Sequence, residues 1–495
     1  MRMDFRVASR GNWGVMHLSF TALIPVLPLR LSLLLTSALL NSCTLPPPGT
    51  QPPLPESVQP GASWTATLPG RTTVEPTAWL EQFDDAALRA AVREAVAANP
   101  DLHASAARMR QARIRAVRDG AARLPEINAG LRASQSGEHA TDWNFENDYR
   151  LSLDVSWEAD VWGRVRDNVS ASIAGAQAAE ADYAAARLSL AANAAKAYCN
   201  LLEAEEQVML GRQTVESYGK QLAIVERAYG RGLEAVPASD VRLVRSSVAA
   251  AESNLQARLR ARDAAQRSLE TLMGRYPSAA VKSSGRLPGL RRNIPTGLPS
   301  TLLLRRPDIL AAERRIAAAM RREDASRKAL LPSFRLSAGA GTRDPQLSDL
   351  LDERKLVASL LQSLTQPLYK GGALRAQVRL SEAEREELVS RYAATASEAF
   401  REVETAMAAE TYILEQLKAQ RAFVEESVKS RDMLMARYEK GIADNGGGLN
   451  SSGVAVLRLL ETQRRVFESQ SGLLRLQNQL LQARIDLNLA LGGGF

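Results

Sequence analysis

The chain has 495 residues, 45% apolar and 24% charged, and its 63 basic and 55 acidic side chains leave a net charge of +8. That mix is ordinary for a folded protein and excludes wholesale disorder. Two cysteines and three histidines (His17, His103 and His139) exclude a disulfide scaffold and leave little for metal or thiol chemistry. Aromatic residues make up only 5%, so thick globular cores are not expected. After residue 43 no apolar run approaches the roughly 18–20 residues of a spanning helix, which excludes a helical membrane transporter.

The N-terminal segment reads as an address. Arg2, Arg6 and Arg10 precede an apolar stretch that ends in residues 31–40, and Cys43 follows small residues. This is the layout of a secretory signal, starting at Met1 or Met16. Leu40-Asn41-Ser42-Cys43 resembles the bacterial lipobox, so residues 1–42 are expected to be removed and Cys43 to carry covalent lipid. A plain secretory signal with an incidental cysteine is the bland alternative. Each buried methylene contributes about 0.8 kcal/mol, so several acyl chains would hold the protein firmly to a membrane. Thr44 replaces the aspartate that retains some lipoproteins at the inner membrane, which favours the outer one. The mature charge falls to +5. No basic stripe is interleaved with aromatics, so nucleic-acid binding has no support. Residues 43–78, rich in proline, read as an extended, lipid-anchored tether.

The remainder is one unit written twice, residues 79–290 and 291–495. Pro100-Asp101-Leu102 and Pro307-Asp308-Ile309 lie 207 residues apart, as do Leu124-Pro125 and Leu331-Pro332. Gly163 matches Gly371, Tyr229 with Gly232 matches Tyr438 with Gly441, and residues 269–274 match 487–492. A nine-residue insertion, 445–453, separates the last two landmarks in the second copy. Proline is absent between Pro125 and Pro237 and after Pro367, which permits very long helices. Residues 171–197 hold 14 alanines, a strongly helical composition. From Val403 to Tyr438 apolar residues recur in steps of four and three, a coiled-coil seam interrupted by Glu410, Arg421 and Arg431. The pattern predicts helices over 164–230 and 238–273, and again over 373–440 and 455–490. These form two hairpins with tips near 230–238 and 440–454.

Ahead of each hairpin the period changes to two. Strands are expected over 125–134 and 148–159, then over 332–342 and 354–367, with apolar residues such as Leu151, Leu153 and Val155 alternating with polar ones. Strands of about 9–11 residues with one apolar and one polar face suit a membrane barrel. Trp143, Trp157 and Trp162 fall in this region, as an interfacial girdle needs. The rival reading is a soluble sheet with one face on a core. Four strands cannot close around side chains, since about eight are needed. If the strands span a membrane, copies must therefore share a barrel, eight strands from two chains or twelve from three.

Several stretches carry a family resemblance. They include Trp79 with Phe83-Asp84-Asp85, Asn99-Pro100-Asp101-Leu102, residues 157–164 (Trp157 to Arg164), and Arg305-Arg306-Pro307-Asp308-Ile309. Leu331-Pro332-Ser333-Phe334, Glu402-Val403-Glu404, Glu461-Thr462-Gln463-Arg464 and the C-terminal residues 490–495 add to them. Together they resemble the outer-membrane factor (TolC-like) family of tripartite efflux pumps, in its NodT/OprM-like lipoprotein branch. The resemblance implies a mainly α fold with a β-barrel: a homotrimer with a twelve-stranded barrel in the outer membrane of a Gram-negative bacterium, above a periplasmic helical tunnel. It implies a passive duct that exports drugs or other toxic small molecules, with a periplasmic adaptor (membrane fusion) protein and an inner-membrane pump as partners. It implies adaptor contacts at Gly232-Leu233 and Gly441-Ile442 on the hairpin tips. Glu439 and Asp444 are the nearest candidates for a gating ring, although solvated surface charge is the commoner explanation for such residues. Asp160 is expected to cap the helix that follows it, and Cys199 reads as a small buried apolar residue.

No nucleotide loop, zinc spacing or nucleophile elbow is present in the sequence, so an enzyme is not expected and no cofactor or metal is called for beyond the lipid on Cys43. A periplasmic adaptor or a soluble coiled-coil scaffold is the alternative; an adaptor carries one hairpin flanked by soluble β domains. The lipobox reading is checked by metabolic labelling with palmitate. Cys43→Ser is expected to abolish incorporation, and persistent label in that variant would refute the assignment.

Overall fold

The computed structural model describes residues 59, 63–66, 71–72, 79–139, 143–231, 236–290, 294–295, 299–443 and 452–493. The signal segment and Cys43 lie outside the described residues, as do Gly232, Leu233, Asp444 and residues 445–451 of the insertion. The element order repeats. In the first copy, β1 (Arg71–Thr72), α1 (Ala86–Ala98) and α2 (Pro100–Gly120) lead to β2 (Glu126–His139) and β3 (Trp143–Ala159), then to α3 (Arg164–Gly230) and α4 (Ala238–Leu272). In the second, β4 (Ile294–Pro295), α5 (Pro299–Arg305) and α6 (Pro307–Lys328) lead to β5 (Ser333–Asp344) and β6 (Val357–Thr365), then to α7 (Ala373–Ala443) and α8 (Ser452–Ala490).

The two long helices, α3 with 67 residues and α7 with 71, extend about 100 Å at 1.5 Å per residue. Alanine sets how closely they pack. Ala191, Ala192, Ala194 and Ala195 on α3 are fully buried where α1 crosses, and they let Trp79, Phe83, Leu88 and Val92 seat against the helix beside Tyr198 and Cys199. Cys199 is enclosed, and burial, followed by the charge of Asp85, pushes its thiol up to about 12. A second cluster joins Ile309 and Ile316 of α6 to Tyr392, Val403 and Met407 of α7 and Leu487 of α8. A third joins the two hairpins toward their tips, through Tyr218, Val225, Val241, Val244, Tyr438, Val456 and Leu459. Glu410 breaks the apolar seam of α7, and the structure supplies the reason: it is buried in an ion pair with Arg484 of α8.

The tether prediction holds less well. Trp64 is 6% exposed within the second cluster, and the backbone N–H groups of Thr65 and Ala66 donate to the Glu404 carboxylate at 2.7 Å each. Further along, β1 pairs in parallel with β4. Residues 63–66 and 71–72 are therefore docked on the second copy. Their Gly, Ser and Thr content concealed one tryptophan anchor and a carboxylate acceptor more than 330 residues away in sequence.

The duplication shows in hydrogen bonds. Asn99 caps α2, accepting from the Asp101 and Leu102 N–H groups, while its amide donates to Leu272 O at 3.0 Å. At the equivalent position Arg306 precedes α6 and donates to Ala490 O at 3.0 Å. Each residue satisfies the corresponding carbonyl at the end of its copy's last helix. Arg306 also holds Asp308 and Glu402, which accounts for the distinctive Arg-Pro-Asp block. Just past these carbonyls stand Gly274 (φ +70°) and Gly492 (φ +65°). A Cβ on Gly274 would lie 2.5 Å from Ala98 O, and one on Gly492 would lie 3.2 Å from the Arg305 backbone. Both conformation and space thus demand glycine. Gly274→Ala is expected to destabilise the fold by at least about 1–3 kcal/mol, from left-handed strain before any clash. Thermal unfolding of the purified variant checks this, and an unshifted midpoint would contradict the close approach.

Candidate functional site

Strands β2, β3, β5 and β6 form one antiparallel sheet in that order, so β2 and β6 are its open edges. Cross-strand register sorts every residue onto a face. Ile127 faces Val155 and then Ala338 and Leu360; Leu131 faces Leu151. On this face Ile127, Leu131, Leu153, Leu360 and Leu364 are 49–68% exposed in the single chain. An apolar surface of that extent marks a contact with lipid or protein. No described helix is long and apolar enough to cross a membrane. The opposite face is polar throughout most of its height, with Asn128, Asp154, Gly339 and Ser359 in one row and Glu126, Ser156 and Ser337 in another. Leu361 and Val357 are its apolar exceptions, which is why β6 alternates poorly in sequence.

The three tryptophans occupy two ends of the sheet rather than one girdle. Trp143 sits at the β2–β3 hairpin end, stacked on Phe145 at 5.8 Å and edge-on to His139 at 5.2 Å. The Gln135–Asn147 hydrogen bond (3.0 Å) interrupts the apolar face between it and Tyr149. Trp157 and Trp162 close the other end, where their indole N–H groups donate to Arg123 O at 3.0 Å and Pro332 O at 2.7 Å. Some 14 residues of strand separate the two ends, about 45 Å along the chain. With a strand tilt near 40° that becomes about 35 Å of height, close to a bilayer with its interfaces.

Below the sheet the strand-to-helix junction is tightly held. Asp160 accepts from the N–H groups of Val165 (2.9 Å) and Arg166 (2.7 Å), so it caps α3 as expected, although the helix begins at Arg164 rather than at Val161. Arg164 makes a two-pronged contact with Glu158 at 2.7 and 2.8 Å. Asp167, nearly buried on the first turn of α3, pairs with Lys328 at the end of α6.

At the far end of the hairpins α3 stops at Gly230, and α7 runs through Gly441 and Ile442 to Ala443. Gly441 is thus not the stopping residue of α7, and α8 begins at Ser452. Glycine in a helix costs only about 1 kcal/mol relative to alanine, and the insertion offers glycines further on. Glu439 lies on the last turns of α7. Sequence reasoning missed Asp240, a buried carboxylate in the first turn of α4. It is 4% exposed, and its Oδ2 has no hydrogen-bond partner among the described residues. Burial raises its carboxyl above the usual range. Burial, then the Asp240 charge, pushes the nearby Tyr438 hydroxyl up to about 12.

These features have counterparts in known proteins. The sequence matches the family described as "Outer membrane efflux protein" over residues 91–275 and 298–493. The "Pyoverdine export outer membrane protein OpmQ" of Pseudomonas putida is 31% identical over 481 residues, covering 95% of this chain and 98% of its own. "Outer membrane protein OprJ" of Pseudomonas aeruginosa is 31% identical over 474 residues, covering 94% and 95%. A solved membrane protein of Pseudomonas aeruginosa matches with a TM-score of 0.80 at 30% identity, over 92% of this chain and 98% of that one.

The buried Asp240 yields a measurement. Its folded pKa is raised, so the native state binds the proton more tightly than the unfolded chain. Stability from this group is then present below the ordinary carboxylate pKa and declines as pH rises through the folded value. Asp240→Asn is expected to raise the unfolding midpoint at pH 7 and to converge with the wild type near pH 3. Equal midpoints at both pH values would contradict the buried charge.

Proposed function

This chain belongs to the outer membrane efflux protein family, and on that premise we propose that three copies close one barrel of twelve strands, four from each. The protein is the outer-membrane channel component of a tripartite efflux system in a Gram-negative bacterium, with a long helical extension into the periplasm. The observation that carries the trimer is the two-faced, four-stranded sheet with β2 and β6 unpaired. Lipid tolerates no open edge. Four strands are too few to enclose side chains, and eight give an interior that side chains fill. Twelve leave room for a solute beside the polar face.

The reading makes the protein a passive duct rather than a catalyst. Drugs or other toxic small molecules enter from an inner-membrane pump through a periplasmic adaptor and leave along the polar interior. Adaptor contact falls to the hairpin tips around Gly232-Leu233 and Gly441-Ile442. The acidic residues Glu439 and Asp444 are the candidates for a gating ring there. Lipid on Cys43 anchors the N-terminus, and the docked Trp64 segment fixes where the anchored stretch joins the body. An adaptor of one hairpin and soluble β domains does not fit a chain with two hairpins and a single amphipathic sheet.

The test is the particle size of the mature chain carrying Cys43→Ser, measured by light scattering with and without an uncharged detergent. Three copies per particle are expected, stable only in detergent. A monomer that stays dissolved in plain buffer would overturn the barrel.

A further inference from the structure

On the polar face of the sheet one row differs from all others. Arg132 of β2 lies opposite Arg150 of β3, and Arg150 lies opposite Arg343 of β5. Directly opposed like charges destabilise a sheet, so three guanidinium groups in one row call for a compensating anion. The chain supplies one. Asp148, one level toward the hairpin end, accepts from Arg343 Nε at 2.7 Å. Among the described residues, neither Arg132 nor Arg150 forms an ion pair. The remaining carboxylates of this face stand apart: Glu146 and Glu138 are nearer the hairpin end, Asp154 is held by Ser152 Oγ at 2.8 Å, and Glu126 and Glu158 lie at the opposite end, Glu158 paired with Arg164.

The row beneath leaves space for a ligand. Gly130, Ser152, Gly341 and Val357 follow the arginines at the next level, so two of four positions carry no side chain. Arg150, Ser152, Asp154 and Arg343 border a recess of about 220 Å3 there. In the shared barrel the strand that abuts β2 is a neighbour's β6, whose residues 357–365 contain no acidic side chain.

We infer that Arg132, Arg150 and Arg343 form an arginine belt that binds organic anions inside the barrel, recognising carboxylate, phosphate or sulfonate groups on solutes in transit. This inference rests on the shared-barrel reading, which turns the polar face inward and repeats the row around the lumen. Guanidinium is suited to the task, since its planar fork matches the oxygens of an oxyanion in pairs. The belt concentrates anions locally and so favours their passage.

The test uses pyranine, a water-soluble trisulfonate dye, titrated against the full-length protein in uncharged detergent at low ionic strength and followed by fluorescence anisotropy. Arg132→Gln with Arg150→Gln is expected to weaken binding at least about tenfold, since it removes two charge-assisted contacts. The paired lysine substitutions are expected to retain most of the affinity. Unchanged binding in the glutamine variant overturns the belt, and so does a wild-type protein that does not bind the dye. If the glutamine variant fails to assemble, salt decides on the wild type. Affinity must fall steeply as added salt shortens the screening length to about 8–10 Å, and salt-insensitive binding also overturns it. Light scattering on the same samples separates the two layers. A detergent-stable trimer without anion binding removes the belt alone, whereas a soluble monomer removes the barrel beneath it.

Discussion

Hydrocarbon offers no hydrogen-bond partner, so a sheet that meets lipid has to pair every strand edge. In this chain β2 and β6 present unpaired backbone on both sides of a sheet whose one face is apolar and exposed. The rest of the architecture answers to that. The helical hairpins carry no apolar run able to enter a membrane, and they are buried against each other through alanine-rich and mixed clusters below the sheet. Asp160 holds the end of β3 to α3, and Asp167 holds α3 to the end of α6 just ahead of β5, which ties the two central strands to the helices beneath.

Duplication divides the labour unevenly. Asn99 and Arg306 occupy the same structural place and satisfy the same kind of helix-terminal carbonyl, yet only Arg306 recruits carboxylates from two further segments. The second copy also receives Trp64 and supplies Glu404 to the incoming chain. The first copy instead packs its entry around Trp79 and Phe83. The gene-level repeat therefore persists as geometry, with each copy solving its packing by different side chains.

Much of this was legible in the sequence. Proline spacing gave the helices to within a few residues, because proline is excluded from helix interiors for local steric reasons. Alternation located β2, β3 and β5, whereas β6 alternates poorly; β2 runs five residues beyond its expected end, to His139, and β3 starts five residues early, at Trp143. Three features were not legible. The split of Trp143 from Trp157 and Trp162 depends on which end of a hairpin each occupies. Glu410 looked like a flaw in the seam because its partner Arg484 lies on another helix. The arginine row needs cross-strand register, since Arg132, Arg150 and Arg343 each look like ordinary polar-face residues within their own strand.

The Glu410–Arg484 pair constrains how the hairpins can move. Sliding α7 along α8 by a single helical turn would pull apart charges that sit 1% and 4% exposed, leaving both without solvent. Breaking a buried pair in that way costs about 3–5 kcal/mol, far more than repositioning apolar neighbours of similar size. Translation between the two helices is thus latched, whereas swinging them together as a rigid lever leaves the latch untouched. Any widening of the periplasmic mouth is accordingly steered toward pivoting of the whole hairpin.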